Sequence, residues 1–493
     1  MTPLHSDLRA IARFSFGPLP RRSLLRSPAL LRQASRSSST TDTPSVCTAD
    51  ELHYVRVPNS DWKLALWRYL PPADAPKRNH PLLLLSGVGT NAIGYDLSPD
   101  SSFARHMCAQ GFDTWTMEVR GAGLSTRVVD FKDISTTPTS NLLSENLASH
   151  KNYDGQQGVI ASQTQSFSGQ DSSETLTKRD LIPVSEDNNS GIVSQLRDLS
   201  RRLLDIIEES QKMVPLPFTT LRERFVSTIE EFHDRLDVID SYDWDLDDYL
   251  EDDLPAVINY VRGHSRPRDG KLHAVGHSMG GILLYAILSK CGFEREDSGF
   301  ASIATLGSSL DYTSSRSSLK WLLPLANPAQ AFKVPVIPLG GLMAVTFPLA
   351  ARPPYFMSWL NSQISAHDMM EPELLEKLVL NNFCTVPSKL LLQLTTAFYD
   401  GGLRDRSGSF LYKDHIAKSN VPILAIAGDQ DLVCPPEAVY ETAKLIPPHL
   451  LKYKVFGEPG GPHYAHYDIV GGRMAAVQVY PCIVDFFNQH DYV

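Results

Sequence analysis

Hydrophobic and polar positions alternate along most of this chain between two periods. Residues 52–57 and 62–69 read as antiparallel strands joined by the turn Pro58-Asn59-Ser60-Asp61. Residues 81–85 form a continuous apolar run that ends in Ser86-Gly87-Val88-Gly89, as expected of a strand buried on both faces. A helix is expected over residues 101–110, stopped by Gly111, and then a strand over 113–119. Further strands are expected at 272–275, 301–306, 421–427 and 451–456, with helices starting at Met279, Pro435 and Gly472. Buried strands alternating with helices predict an α/β fold, with a mostly parallel sheet and helices on both faces.

Two segments break this rhythm. Within residues 134–175, 25 of 42 positions are Ser, Thr, Asn, Gln or Gly, too polar to bury a core, so residues 128–190 are expected to be disordered. Ile192, Leu196, Leu199, Leu203 and Ile206 then recur at helical spacing. Leu221, Phe225, Ile229, Phe232, Leu236 and Ile239 repeat it beyond Pro215-Leu216-Pro217, which predicts a helical hairpin over residues 191–240. The second interruption, residues 311–417, is apolar and broken by prolines; residues 321–360 carry only Lys333 and Arg352 as charges. It reads as a helical cap over a cleft. Its prolines argue against a membrane-spanning helix. The core is then assigned to residues 50–127, 245–310 and 418–493.

Charge changes this picture at one end. The 493 residues carry a formal charge of −10, which argues against nucleic-acid binding through a broad basic face. Residues 1–40 hold seven arginines, eight serines and one acid, Asp7, so they carry +6 and the rest −16. An Arg- and Ser-rich, acid-poor start is the composition of an organellar transit peptide, assigned to residues 1–45, with a plastid favoured over a mitochondrion. Six scattered cysteines without a CxxC pair suit reduced thiols.

The candidate chemistry centres on Gly276-His277-Ser278-Met279-Gly280-Gly281, placed after a strand and before a helix. G-x-S-x-G in that frame is a nucleophile elbow, whose glycines allow a tight turn and whose serine stands above the sheet edge. The Met279 N–H, at a helix N-terminus, can hold an oxyanion. A serine nucleophile needs a base, and the base needs an orienting acid. The strand at 421–427 runs into Gly428-Asp429-Gln430-Asp431, and the last strand into a Gly/Pro-rich loop holding His463 and His466. Asp431 and His466 are preferred, with Asp429 and His463 as the alternatives. The Val88 amide, in the loop after the third strand, is the candidate second oxyanion donor.

With these pieces the chain resembles the α/β-hydrolase superfamily, in particular its monoglyceride-lipase-like and serine-aminopeptidase-like branch. The resemblance rests on Ser86 to Gly89, Arg120-Gly121-Ala122-Gly123-Leu124-Ser125, Gly276 to Gly281, Gly428 to Pro436 and His466. Many relatives place His-Gly where this chain has Ser86-Gly87, which leaves open what supports that loop. The long first insert looks like that of plant organellar hydrolases. The resemblance implies the α/β-hydrolase fold and cleavage of an ester, amide or thioester without a cofactor or a metal.

The apolar cap adds the expectation of a lipophilic small-molecule substrate. Contact with a membrane surface and the oligomeric state are left open. Asp243, Asp245, Asp247, Asp248, Glu251, Asp252 and Asp253 mimic the start of an EF-hand, but Asp248 stands where its glycine must be. They read instead as acids complementing the dipole at the start of a helix. No phosphate-binding glycine loop and no HExxH is present. Two alternatives to a hydrolase keep the same fold: a small-molecule receptor, and an acyltransferase using the same three residues.

Overall fold

The computed structural model describes residues 46–128, 242–323, 336–351, 355 and 358–492. The expected transit peptide, the polar stretch from residue 129 to 190 and the hairpin at 191–240 lie outside the described residues.

Nine strands form the main sheet. They are β1 (Glu51–Arg56), β2 (Trp62–Tyr69), β3 (Leu82–Leu85), β4 (Thr114–Met117), the two-residue β5 (Thr126–Arg127), β6 (Leu272–His277), β7 (Phe300–Leu306), β10 (Ile423–Gly428) and β11 (Leu451–Phe456). Their order is β1-β2-β4-β3-β6-β7-β10-β11, with β5 beside β2. The β1–β2, β2–β4 and β2–β5 pairs are antiparallel and the others parallel. The four leucines of β3 and all six residues of β6 and of β10 are buried, which is why these strands read as unbroken apolar runs.

Alternate residues of each strand serve opposite faces. Leu83, Leu85, Ala274 and Ile303 pack in one core with α2 (Leu254–Ser265), α3 (Met279–Glu294) and α8 (Pro436–Ala443). Leu82, Leu84, Val275 and Ala304 pack in a second core with α1 (Phe103–Ala109) and the C-terminal α9 (Ala475–Gln489). Helix α1 starts at Ser102, whose hydroxyl accepts from Arg105 N–H at 3.0 Å. Helix α3 is apolar on every side and buried from Met279 to Ser289, so it lies fully inside the layer.

The segment between β7 and β10 is not purely helical. It holds α4 (Leu339–Ala351), α5 (Ser358–Ile364), α6 (Pro372–Asn381) and α7 (Ser388–Thr395), but also two short strands, β8 (Val336–Pro338) and β9 (Thr385–Pro387), paired antiparallel. Three residues are too few to show an alternating pattern, and the prolines hid them further. The segment reaches the loop after β3: Cys384 N–H donates to Gly89 O at 2.7 Å and Asn91 N–H to Asn382 O at 3.0 Å. Among the described residues no helix is long and apolar enough to cross a membrane.

The acidic run departs from its expected role. Asp245 caps the helical start at Leu246, Asp248 completes a capping box, and Asp243 and Glu251 are exposed, but Asp247 and Asp253 are buried and paired. Asp247 accepts from Tyr412 Oη at 2.6 Å and from Gln393 Nε2 at 3.1 Å. Asp253 is fully buried at the end of a π-helical turn, Tyr249–Asp253. There it receives Arg120 Nε on both oxygens at 3.0 Å. Arg120 is 5% exposed, so this is an ion pair withdrawn from water. It locks the turn after β4 to the helix that precedes the elbow strand.

Removing one member of such a pair strands the other in the interior. Arg120→Ala is expected to lower the unfolding free energy by about 3–5 kcal/mol in a urea titration. The double variant Arg120→Met/Asp253→Leu is expected to regain part of that loss, since no charge is left buried.

Candidate active site

The register of the parallel strands builds the site. Leu82 pairs with His273 and Leu85 with Gly276, so the chain leaving β6 emerges beside the loop that leaves β3. Between β6 and α3, Ser278 has φ 55° and ψ −120°, a conformation that costs a non-glycine residue about 1–3 kcal/mol. The turn is held from both sides. Ser278 N–H donates to Leu306 O at 2.9 Å, and the Ser308 hydroxyl donates to Ser278 O at 2.8 Å. A Cβ on Gly280 would stand 2.1 Å from Leu85 O, so only glycine lets α3 start this close to β3. Met279 opens the helix, where the first N–H groups have no partner within it.

The loop after β3 faces the serine. A Cβ built on Gly87 would lie 3.3 Å from Ser278 Cβ and 3.7 Å from its Oγ. The loop has its own braces: Ser86 Oγ donates to Asn91 O at 3.1 Å, and Thr90 Oγ1 to Gly87 O at 2.9 Å. The buried Glu118 accepts from Ala92 N–H and Leu124 N–H, joining this loop to the turn that Arg120 anchors. Val88 is half-buried against the core at the outer side of the loop.

His466 and Asp431 meet on the other side of the elbow. His466 Nδ1 is 2.8 Å from Asp431 Oδ2, and the two residues are 4% and 1% exposed. Asp431 Oδ1 accepts from Val433 and Cys434 N–H, which fixes the carboxylate. Gly307 follows the residue that binds Ser278 N–H; its φ is +54°, and a Cβ there would lie 2.9 Å from Asp431 Oδ2 and 3.1 Å from His466 Nδ1. The pair and the serine are therefore separated only by the end of β7.

The alternative residues also form a pair: His463 Nδ1 lies 2.5 Å from Asp429 Oδ2. That pair is half-exposed at the rim of β11, and its aspartate also accepts from Tyr464 N–H. Of the two, only Asp431–His466 reaches the elbow.

A family model described as alpha/beta hydrolase fold matches residues 239–468, which include the elbow and both members of this pair. The chain has the α/β-hydrolase fold. Solved structures similar to it include proline iminopeptidase of Mycobacterium smegmatis, at 13% identity over 90% of this chain and 99% of that one, with a TM-score of 0.43. Naproxen esterase of Bacillus subtilis matches at 13% identity over 90% and 94%, TM-score 0.37. A soluble variant of monoglyceride lipase from Saccharomyces cerevisiae matches at 10% identity over 92% and 99%, TM-score 0.42. No curated protein matches the sequence.

Three further residues of this site are not marked out by their spacing in the sequence. His277, buried beside Ser278, places Nε2 2.9 Å from His466 O, with its ring centroid 4.6 Å from that of His466. Burial, and then the nearby His466, hold its pKa well below the ordinary value, so it stays neutral and donates to that carbonyl. Its place inside the elbow motif was the available clue. Asn382 is fully buried; its Oδ1 accepts from Gly94 N–H at 3.1 Å and its Nδ2 donates to Tyr467 Oη at 3.1 Å. It thus connects the loop after β3 to the residue following His466. Between them lies a recess of about 10 Å³, lined by Gly87, Thr90, His277, Asn382 and Tyr467, with room for about one water.

Asp468 is the third. It accepts from Ser365 Oγ at 2.6 Å and from Ala366 and Ala465 N–H at 2.7 and 2.8 Å. Burial outweighs these bonds and pushes its pKa up to about 6. The folded chain therefore binds this proton more tightly than the unfolded one. Its stabilising contribution is complete below the ordinary carboxyl pKa near 4 and is lost as pH rises to about 6. Asp468→Asn keeps an acceptor for both N–H groups and cannot ionise. Relative to the parent, its unfolding free energy is expected to improve by up to about 3 kcal/mol between pH 4 and 7, read by denaturant titration at each pH.

Proposed function

We propose that this chain is a serine hydrolase that cleaves an ester, thioester or amide of a lipophilic acyl substrate. The observation that carries the reading is the buried His466–Asp431 pair beside a serine in a strained strand-to-helix turn. Pure binding requires neither an oriented imidazole nor the strain.

In the proposed reaction Ser278 Oγ attacks the acyl carbonyl and His466 Nε2 takes its proton. Asp431 holds Nδ1–H, which fixes the tautomer and stabilises the imidazolium as it forms. Oxygen charge develops against the Met279 and Val88 N–H groups; losing one such donor typically costs about 10²–10³ in rate. His466 then returns the proton to the leaving group, and a water activated by the same imidazole releases the acid. His277 acts as a positioning residue, since its hydrogen bond holds the backbone of His466 against the elbow. The lipophilic acyl group is supported by residues 321–360, which carry only Lys333 and Arg352 as charges. The basic, acid-poor residues 1–45 support import into an organelle, a plastid before a mitochondrion.

The test is labelling with a fluorophosphonate probe together with hydrolysis of p-nitrophenyl esters of increasing chain length. Ser278→Ala is expected to abolish labelling, and His466→Ala to reduce kcat by at least about 10⁴. His463→Ala and Asp429→Asn are expected to stay within a few-fold of the parent. Rising kcat/KM with acyl length supports the lipophilic substrate. Undiminished labelling or hydrolysis by Ser278→Ala overturns the assignment.

A further inference from the structure

At the opposite end of the sheet from Ser278, three ligand-type side chains from distant parts of the chain converge on one point. His80 stands just before β3, His273 is the second residue of β6, and Asp491 follows the end of α9. One ligand atom from each lies within 4.8 Å of the other two. His80 and His273 are 1% and 0% exposed. His80 Nδ1 is 2.9 Å from Asp491 Oδ1, and His273 Nε2 is 3.6 Å from the same oxygen.

The second distance is too long for a hydrogen bond, and His273 Nε2 is a fully buried nitrogen without a hydrogen-bond partner. It faces the carboxylate at ion-pair distance only. The far nitrogens, in contrast, are both occupied. His80 Nε2 meets Asp269 Oδ2 at 3.1 Å, and His273 Nδ1 meets Ser302 Oγ at 2.9 Å. Ligating histidines are held in this way, with the outer ring nitrogen fixed by a carboxylate or another partner, while the inner nitrogens of both rings here turn toward Asp491 Oδ1.

We infer that His80, His273 and Asp491 form a binding site for a divalent zinc ion, with water as the fourth ligand. In a tetrahedral site with bonds of about 2.0–2.1 Å, neighbouring ligand atoms stand about 3.3 Å apart, against 2.9 and 3.6 Å for the two nitrogen–oxygen distances here and at most 4.8 Å between the two nitrogens. Two imidazoles and one carboxylate are the donor set that suits zinc rather than calcium or magnesium, which prefer oxygen. The usual zinc spacings are missing from the sequence because the ligands are not local: 411 residues separate His80 from Asp491. His273 lies five residues before Ser278 on an extended strand, about 17 Å away, so the ion takes no part in the proposed hydrolysis. It pins the C-terminal end of α9 to the starts of β3 and β6. In its absence Asp491 still accepts from Asn79 and His80 N–H, so the alternative is a hydrogen-bonded latch that holds no metal.

The test uses the full chain, stripped with a chelator and titrated with Zn²⁺ by calorimetry and with Co²⁺ by visible absorption. One equivalent of Zn²⁺ is expected, with the intense visible bands of tetrahedral Co²⁺ and a higher thermal midpoint. Asp491→Asn keeps the shape of the side chain and is expected to abolish this uptake. Ser302→Ala, which only frees the outer nitrogen of His273, is expected to weaken it about 10–100-fold. Circular dichroism of both variants reports whether they remain folded. Failure of the parent chain to take up a stoichiometric ion overturns the proposal, and so does uptake that neither substitution alters.

Discussion

The contact on which the site depends is the approach of α3 to the end of β3. Gly280 sits so close to Leu85 O that no side chain fits, and this closeness forces the sharp reversal at Ser278. The resulting strain is offset by burial. Every residue from Met279 to Ser289 is buried, and each Leu, Ile or Met withdrawn from water contributes about 1.5–3 kcal/mol. Helix α3 is thus both the apolar centre of one core and the clamp that keeps the serine in a conformation it would not adopt alone. The sheet supplies the other half, since β3 and β7 flank β6 and bring their own end-loops to either side of the turn.

What could be read from the sequence was what is local. The unbroken apolar strands and the elbow each lie within a short window, and the register then brings them together. The two aspartates and two histidines were harder, because Asp429–His463 and Asp431–His466 both form pairs and only their depth separates them. Arg120 and Asp253 were not legible as partners, being 133 residues apart. An acidic run before a helix suggests dipole complementation, and nothing in its spacing shows that its last member is buried. Asn382 is an ordinary residue at the end of α6, and its connection to Gly94 and Tyr467 exists only after folding.

The segment between β7 and β10 is bonded to the loop after β3 through backbone groups at Gly89 and Asn91, and through the side chain of Asn382. Each such bond contributes about 0.5–1.5 kcal/mol net. The loop facing Ser278 and the segment bonded to it are therefore one mechanical unit. Any displacement of this segment away from Ser278 must either carry the loop along or break these bonds. Glu118 and the Arg120–Asp253 pair hold the other side of the same loop to the sheet, which limits how far it can follow.

The antiparallel edge of the sheet explains how this chain accommodates so much additional length. Arg127 in β5 is paired with Trp62, whose ring meets that of Trp244 at 5.2 Å, edge to face. The points where residues 129–241 leave and rejoin the domain are thus neighbours, fixed by contacts that do not involve the 113 residues between them. The two ends of that stretch are thus set by the described domain itself, through the packing of two tryptophans.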